Sequence, residues 1–176
     1  MDVFEAIKIR QSVRAYDSKP IPKDLLLKIL ETAQLAPSAG NAQPWHFIVV
    51  SNKEKREKFA QARFAKFCSE SPVIIVGCGD QNVSPKWYMV DVTIALEHIV
   101  LAATNEGLGT CWVGSFDENE VRATLNIPGN YRIVALLALG YPREKIDIMR
   151  GLLHLVRNRK NLEQIVSYEE FGKKTL

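Results

Sequence analysis

Cysteine and histidine are scarce in this chain. Its 176 residues hold three of each. Cys68, Cys78 and Cys111 stand far apart, with no Cys-x-x-Cys pair, and His46, His98 and His154 add no metal-ligand spacing. That argues against a zinc or iron–sulfur site and against a disulfide framework, and the cysteines read as buried thiols in a reducing cytoplasm. Long apolar runs are missing too. Residues 73–76 and 133–139 are far too short to span a bilayer. Asp2 and Glu5 interrupt any apolar core of a signal peptide, so the expected location is cytoplasmic. A dominant charge is absent. The net charge of +3 is mild, and no basic stripe of the kind that follows a nucleic-acid backbone is present. Repeats, low-complexity tracts and linkers are lacking. With 47% hydrophobic residues, residues 1–176 are expected to form one domain around one sizeable core.

The elements that are present alternate. Residues 2–9 read as a short helix with Val3, Phe4 and Ile7 on one face. Pro22 suits the first turn of a second helix, striped by Leu25, Leu26, Ile29, Leu30 and Ala33 and ending before Pro37. Residues 46–50 read as a short buried strand. Ser51 and Glu54 have capping-box spacing ahead of another helix, with Phe59, Ala62 and Phe67 as core candidates. The β-branched run Val73, Ile74, Ile75, Val76 predicts a central strand. Ser84-Pro85 opens a long helix to about Glu106, stopped by Gly107 and apolar on more than one face, so it is expected to be buried on most sides. Strands follow at 111–113 and 133–139. Between them lies a short helix capped by Asp117, and another short helix falls near Leu162 to Val166. Four visible strands separated by helices predict a small α/β or α+β sandwich.

No side-chain catalyst stands out. Gly77-Cys78-Gly79 follows a strand, but a dinucleotide fingerprint would need its third glycine where Asn82 stands, and no acidic residue follows at the ribose distance. Ser12, Ser38 and Ser115 have no neighbouring histidine and orienting acid. Asp and Glu lie mostly at caps and on solvated faces. This pattern fits an enzyme whose cofactor carries the chemistry. Arg10-Gln11-Ser12-Val13-Arg14 offers guanidinium forks and a hydroxyl suited to a phosphate, or else a solvated helix end. Arg157 and Arg159, two apart on an extended segment, point to one side, either toward the same anion or as a basic surface edge. The segment from Pro37 to Trp45 is rich in turn formers, and its Asn41 and Gln43 amides could also read the edge of a planar heterocycle.

Together these segments closely resemble the FMN-dependent nitroreductase family, from Arg10 to about Val166. The resemblance rests on five motifs in order. They are Arg10-x-Ser12-x-Arg14, then Pro37-Ser38-x-x-Asn41-x-Gln43-Pro44-Trp45, then Gly107-Leu108-Gly109-Thr110-Cys111-Trp112-Val113-Gly114, then Ala138-Leu139-Gly140-Tyr141-Pro142, and last Arg159-Lys160-x-Leu162-Glu163-x-Ile165-Val166. Two departures are Gln11, where many members carry Arg, and Asn161, where Pro is frequent. The chain also lacks the long insertion that covers the flavin in larger members.

The resemblance implies an α+β fold, a nitroreductase-like α/β sandwich whose small mixed sheet is flanked by helices, and an intertwined homodimer with two FMN sites at its interface. It implies that Arg10, Gln11, Ser12 and Arg14 hold the FMN phosphate and ribityl chain, with Arg157 and Arg159 closing on the phosphate. Pro37, Ser38, Ala39 and Asn41 would come from the partner subunit. Trp112, Val113, Gly114 and Ser115 would lie along the isoalloxazine ring, with a backbone N–H of Gly114 or Ser115 reaching its redox-active nitrogen. The implied activity is ping-pong hydride transfer from NADH or NADPH, through FMN, to an electron-poor acceptor such as a nitroaromatic or a quinone. A specialised relative (dehalogenase, azoline dehydrogenase or flavin-fragmenting type) and a non-catalytic flavin-binding protein would share the same cofactor motifs.

Overall fold

The β-branched run at 73–76 forms the most buried strand of the molecule. In the computed structural model, which describes residues 1–61, 65–143 and 159–175, it opens β2 (Val73–Asp80). β2 lies inside a four-stranded sheet with β1 (Trp45–Val50), β3 (Gly109–Val113) and β4 (Tyr131–Gly140), in the order β1-β2-β4-β3. All three strand pairings are antiparallel. The mixed character expected of the sheet is confined to the β3 edge, where Ser12 bridges Thr110 in parallel.

Helices cover both faces. On one face, α4 (Tyr88–Asn105) packs through Val92, Leu96 and Ile99 onto Ile75, Leu137 and Leu139, with Ile29 and Ala33 of α2 (Lys23–Gln34) in the same core. On the other, Phe59 of α3 (Lys53–Phe59) and Val121 of α5 (Glu118–Leu125) cover Ile74, Val76 and Leu136. The sandwich is the one expected, because alternate side chains of β2 and β4 are apolar toward both faces. Gly77 and Gly79 serve this packing. A Cβ on Gly77 would stand 2.7 Å from a Leu96 methyl, and one on Gly79 would stand 2.6 Å from the Tyr88 ring. Gly107, at φ +75°, ends α4 in a left-handed conformation.

Three local expectations are corrected. β1 is an edge strand in which only Val50 is buried, because among the described residues no strand pairs on its outer side. Asn52, not Ser51, caps α3, its side chain accepting from the Lys55 N–H at 3.0 Å. α4 starts at Tyr88 rather than at Ser84-Pro85, one turn later than expected. α1 (Val3–Ile9) is capped by Asp2 and buries Ala6, leaving Val3, Phe4 and Ile7 exposed.

The chain divides into two compact units, Met1–Arg143 and Glu144–Leu176. In the second, α6 (Leu162–Ile165) starts where the Asn161 N–H donates to Gln164 Oε1 at 2.8 Å. Proline at 161 would lack that donor.

Candidate functional site

The arginine segment is laid against the end of the sheet by its backbone. Arg10 closes α1, its N–H donating to the Ala6 carbonyl at 2.9 Å. The chain then turns extended. The Val13 N–H donates to the Thr110 carbonyl at 2.8 Å, and the Asp17 N–H donates to the Tyr141 carbonyl at 2.9 Å. Val13 sits on Gly109, where a Cβ would come within 2.6 Å of its side chain. Tyr16, 1% exposed, anchors the segment from below. Its hydroxyl donates to the Val13 carbonyl at 2.6 Å and reaches the Ala138 carbonyl at 3.4 Å. Burial, then the nearby Cys111 and Cys68, hold the Tyr16 pKa well above its ordinary value. Arg10, Gln11, Ser12 and Arg14 remain half-exposed. Among the described residues, neither Arg10 nor Arg14 is paired with a carboxylate, although Arg14 lies over the Phe67 ring at 5.9 Å.

β3 runs from this segment to the other predicted residues. Trp112 is half-buried and packs on the α4-side core. Val113 points into the opposite core and is 3% exposed, so it can offer a ligand only its main chain. Gly114 and Ser115 are exposed just beyond the strand. From Ser12, beside Thr110, to Gly114 is four residues along the strand, about 13 Å. One sheet edge therefore carries uncompensated cations and a hydroxyl at one end and open backbone at the other.

The predicted loop lies elsewhere. Residues 39–41 form a 3-10 turn in which Gly40 and Asn41 are left-handed, at φ +57° and +55°, and Gln43 follows at +47°. For glutamine this conformation is uncommon and costs free energy that surrounding contacts must offset. Ser38 Oγ accepts from the Gln43 N–H at 3.0 Å, and Gln43 Nε2 donates to Asn41 Oδ1 at 3.1 Å. The loop leads into Trp45, which pairs with Gly79, whose other neighbour is Arg132. The arginine segment meets Thr110, which pairs with Leu139 at the opposite end of β4. Roughly 20–25 Å of sheet thus separates the two regions within one chain. The first unit brings Arg10, Ser12 and Arg14 to the edge that holds Trp112 through Ser115, and it does not bring Pro37, Ser38, Ala39 and Asn41 there. Arg159 is exposed in the second unit, and Arg157 lies outside the described residues.

Asp91 was not among the residues expected to matter. It is 3% exposed, in the first turn of α4, within an otherwise apolar stretch. Its Oδ1 accepts from the Ala39 N–H at 3.1 Å and its Oδ2 from the Ser84 hydroxyl at 3.2 Å. A carboxylate inside Met89-Val90-Asp91-Val92 was the signal available in the sequence. Asp80 steadies the neighbouring turn, where burial raises its pKa but donation from Asn82 (2.8 Å) and Asn130 (3.0 Å) leaves it below the ordinary value.

Known proteins are similar to this chain in sequence and fold. The nitroreductase family profile matches residues 7–74 and 63–141. A protein of Methanothermobacter thermautotrophicus, provisionally named NADH dehydrogenase/NAD(P)H nitroreductase, is 38% identical over 151 residues, covering 82% of this chain and 79% of its own. The 5,6-dimethylbenzimidazole synthase of Rhodospirillum rubrum is 30% identical over 172 residues, with 79% and 81% covered. Among solved structures, a nitroreductase family protein from Clostridium novyi NT aligns with a TM-score of 0.77 at 35% identity, covering 99% of this chain and 97% of its own. An FMN-dependent nitroreductase from Clostridium difficile R20291 aligns at 0.80 with 28% identity, covering 96% and 99%. The chain belongs to the nitroreductase family. At the level of that family it is an oxidoreductase.

Proposed function

We propose that the protein is an FMN-dependent oxidoreductase that draws on NADH or NADPH to reduce electron-poor acceptors such as nitroaromatics or quinones. The observation that carries this reading is the β3 edge, where Arg10, Ser12 and Arg14 run alongside the strand and Ser12, beside Thr110, stands about 13 Å from the exposed backbone of Gly114. That donor set fits the group. Guanidinium forks and a hydroxyl suit a phosphate of charge about −2. Uncommitted main chain at Gly114 and Ser115 suits the polar edge of a flat ring, with Trp112 behind it. When bound, FMN supplies two-electron redox chemistry that side chains lack. The protein's own work is binding, orientation and electrostatics.

In this reading a second copy of the chain supplies the loop with Pro37, Ser38, Ala39 and Asn41. Two observations support a homodimer. The loop and the arginine segment lie at opposite ends of the sheet in one chain, and α1 exposes Val3 (57%), Phe4 (72%) and Ile7 (53%) on one face. Arg157 and Arg159 would close on the phosphate, which makes residues 1–176 one functional domain. The reading places the enzyme in the cytoplasm.

The test is the visible spectrum of the purified protein, followed by NADPH or NADH without oxygen. Flavin bands that bleach, and recover on adding a nitroaromatic or quinone, are the expected result. A colourless protein with no FMN affinity would refute the proposal. The synthase relative from Rhodospirillum rubrum gives weight to a second reading, a specialised member that turns the reduced cofactor to another reaction. Bands that bleach but do not recover with those acceptors would favour it.

A further inference from the structure

We propose that Asp91 is a positioning residue for the cofactor, acting through the loop it holds. This inference rests on the FMN reading above. A buried carboxylate is costly unless its oxygens accept hydrogen bonds. Asp91 takes one from the Ala39 main chain (3.1 Å) and one from Ser84 (3.2 Å). Ala39 opens the turn that carries the left-handed Gly40 and Asn41, with Gln43 just beyond. Such backbone persists only where contacts over-determine it. The loop's other side-chain hydrogen bonds, Ser38 to Gln43 and Gln43 to Asn41, are exposed and internal to it, and its exit is held where the Asp80 N–H donates to the Pro44 carbonyl at 2.8 Å. The Asp91 bond therefore fixes the loop to the rigid α4 and sets where Ser38, Ala39 and Asn41 face a ligand.

Asn at 91 keeps an oxygen for the Ala39 N–H, and the Ser84 hydroxyl can turn to accept from its amide. Leu at 91 keeps the bulk and removes both acceptors. FMN is titrated into apo wild type, Asp91→Asn and Asp91→Leu by quenching of flavin fluorescence, and exchange of the Ala39 amide is followed in the apo proteins. Asp91→Leu is expected to weaken FMN binding about tenfold or more and to speed Ala39 exchange, while Asp91→Asn stays within about threefold of wild type. Ala39→Pro removes the same bond from the donor side without altering α4, and Ser38, at φ −142° and ψ 155°, tolerates a following proline. It too is expected to weaken FMN, and equal binding by this variant overturns the inference even if Asp91→Leu does not fold. Wild type that binds FMN, with Asp91→Leu or Ala39→Pro binding equally well, overturns the inference alone. Wild type that binds no FMN overturns the proposed function and this inference with it. An Asp91→Asn variant as weak as Asp91→Leu also overturns it, because a positioning role needs only the acceptor.

Discussion

The arginine segment at 10–16 and the loop at 37–43 are held by opposite means. The first is paired by backbone to the sheet end, seated by Val13 on Gly109 and anchored by Tyr16 from within the core. Its support is spread over many contacts. The second has three left-handed residues and is tied to the rigid scaffold through a carboxylate on α4. A ligand that needs both meets one pre-formed wall and one wall whose tie to α4 runs through a single side chain. Distributed support resists single substitutions unless they crowd the interface, whereas support through one hydrogen bond fails at one residue.

The comparison can be broken most strongly from the charged side. Arg10→Ala should weaken FMN binding by about 1.5–3 kcal/mol, the range for a charged hydrogen bond, with little change in the denaturation midpoint. A midpoint that falls with affinity unchanged would make Arg10 a structural residue. Next in size is Gly109→Ala. Its Cβ would meet Val13 at 2.6–2.9 Å, and such crowding costs about 1–3 kcal/mol. Urea unfolding should report that loss, with weaker FMN binding beside it.

Tyr16→Phe sharpens the contrast further. Losing the hydroxyl should cost about 0.5–1.5 kcal/mol in urea unfolding. The effect also has a pH signature. The folded Tyr16 pKa is raised above the 10.0 at which the unfolded chain ionises. Its contribution is therefore complete below about pH 10 and declines as pH rises beyond it. Cys68, pushed by burial from 9.0 to about 12, begins the decline nearer pH 9. Wild-type stability should fall from about pH 9 upward, and above about pH 10 Tyr16→Phe should fall less steeply than wild type. Equal slopes would separate Tyr16 from the alkaline loss. The smallest effect is expected from Ser38→Ala, which removes an exposed acceptor of the Gln43 N–H. Stability should change by about 0.5 kcal/mol or less, with FMN binding a few-fold weaker.

Much of this was legible in the residues, and what was not has a physical reason. The run at 73–76, the cap at Asp117 and the stop at Gly107 all specify their elements locally, so the sandwich could be read in advance. The edge position of β1 could not, because burial of residues 46–50 depends on which strands pair beside them. α4 starts one turn after Ser84, whose hydroxyl donates to Asp91. Asp91 escaped notice because its partners lie 52 and 7 residues away. The motif residues were visible by type and order, but their division between opposite ends of the sheet emerges only from strand register.

That division is the centre of the account, and subunit complementation tests it most directly. Arg10→Ala and Asp91→Leu chains, each impaired in a different wall, are coexpressed with different tags and titrated with FMN. If each site draws one wall from each copy, mixed dimers carry one intact site, and roughly a quarter of all sites regain wild-type affinity under random pairing. A mixture that binds FMN no better than the two variants apart would contradict the shared site.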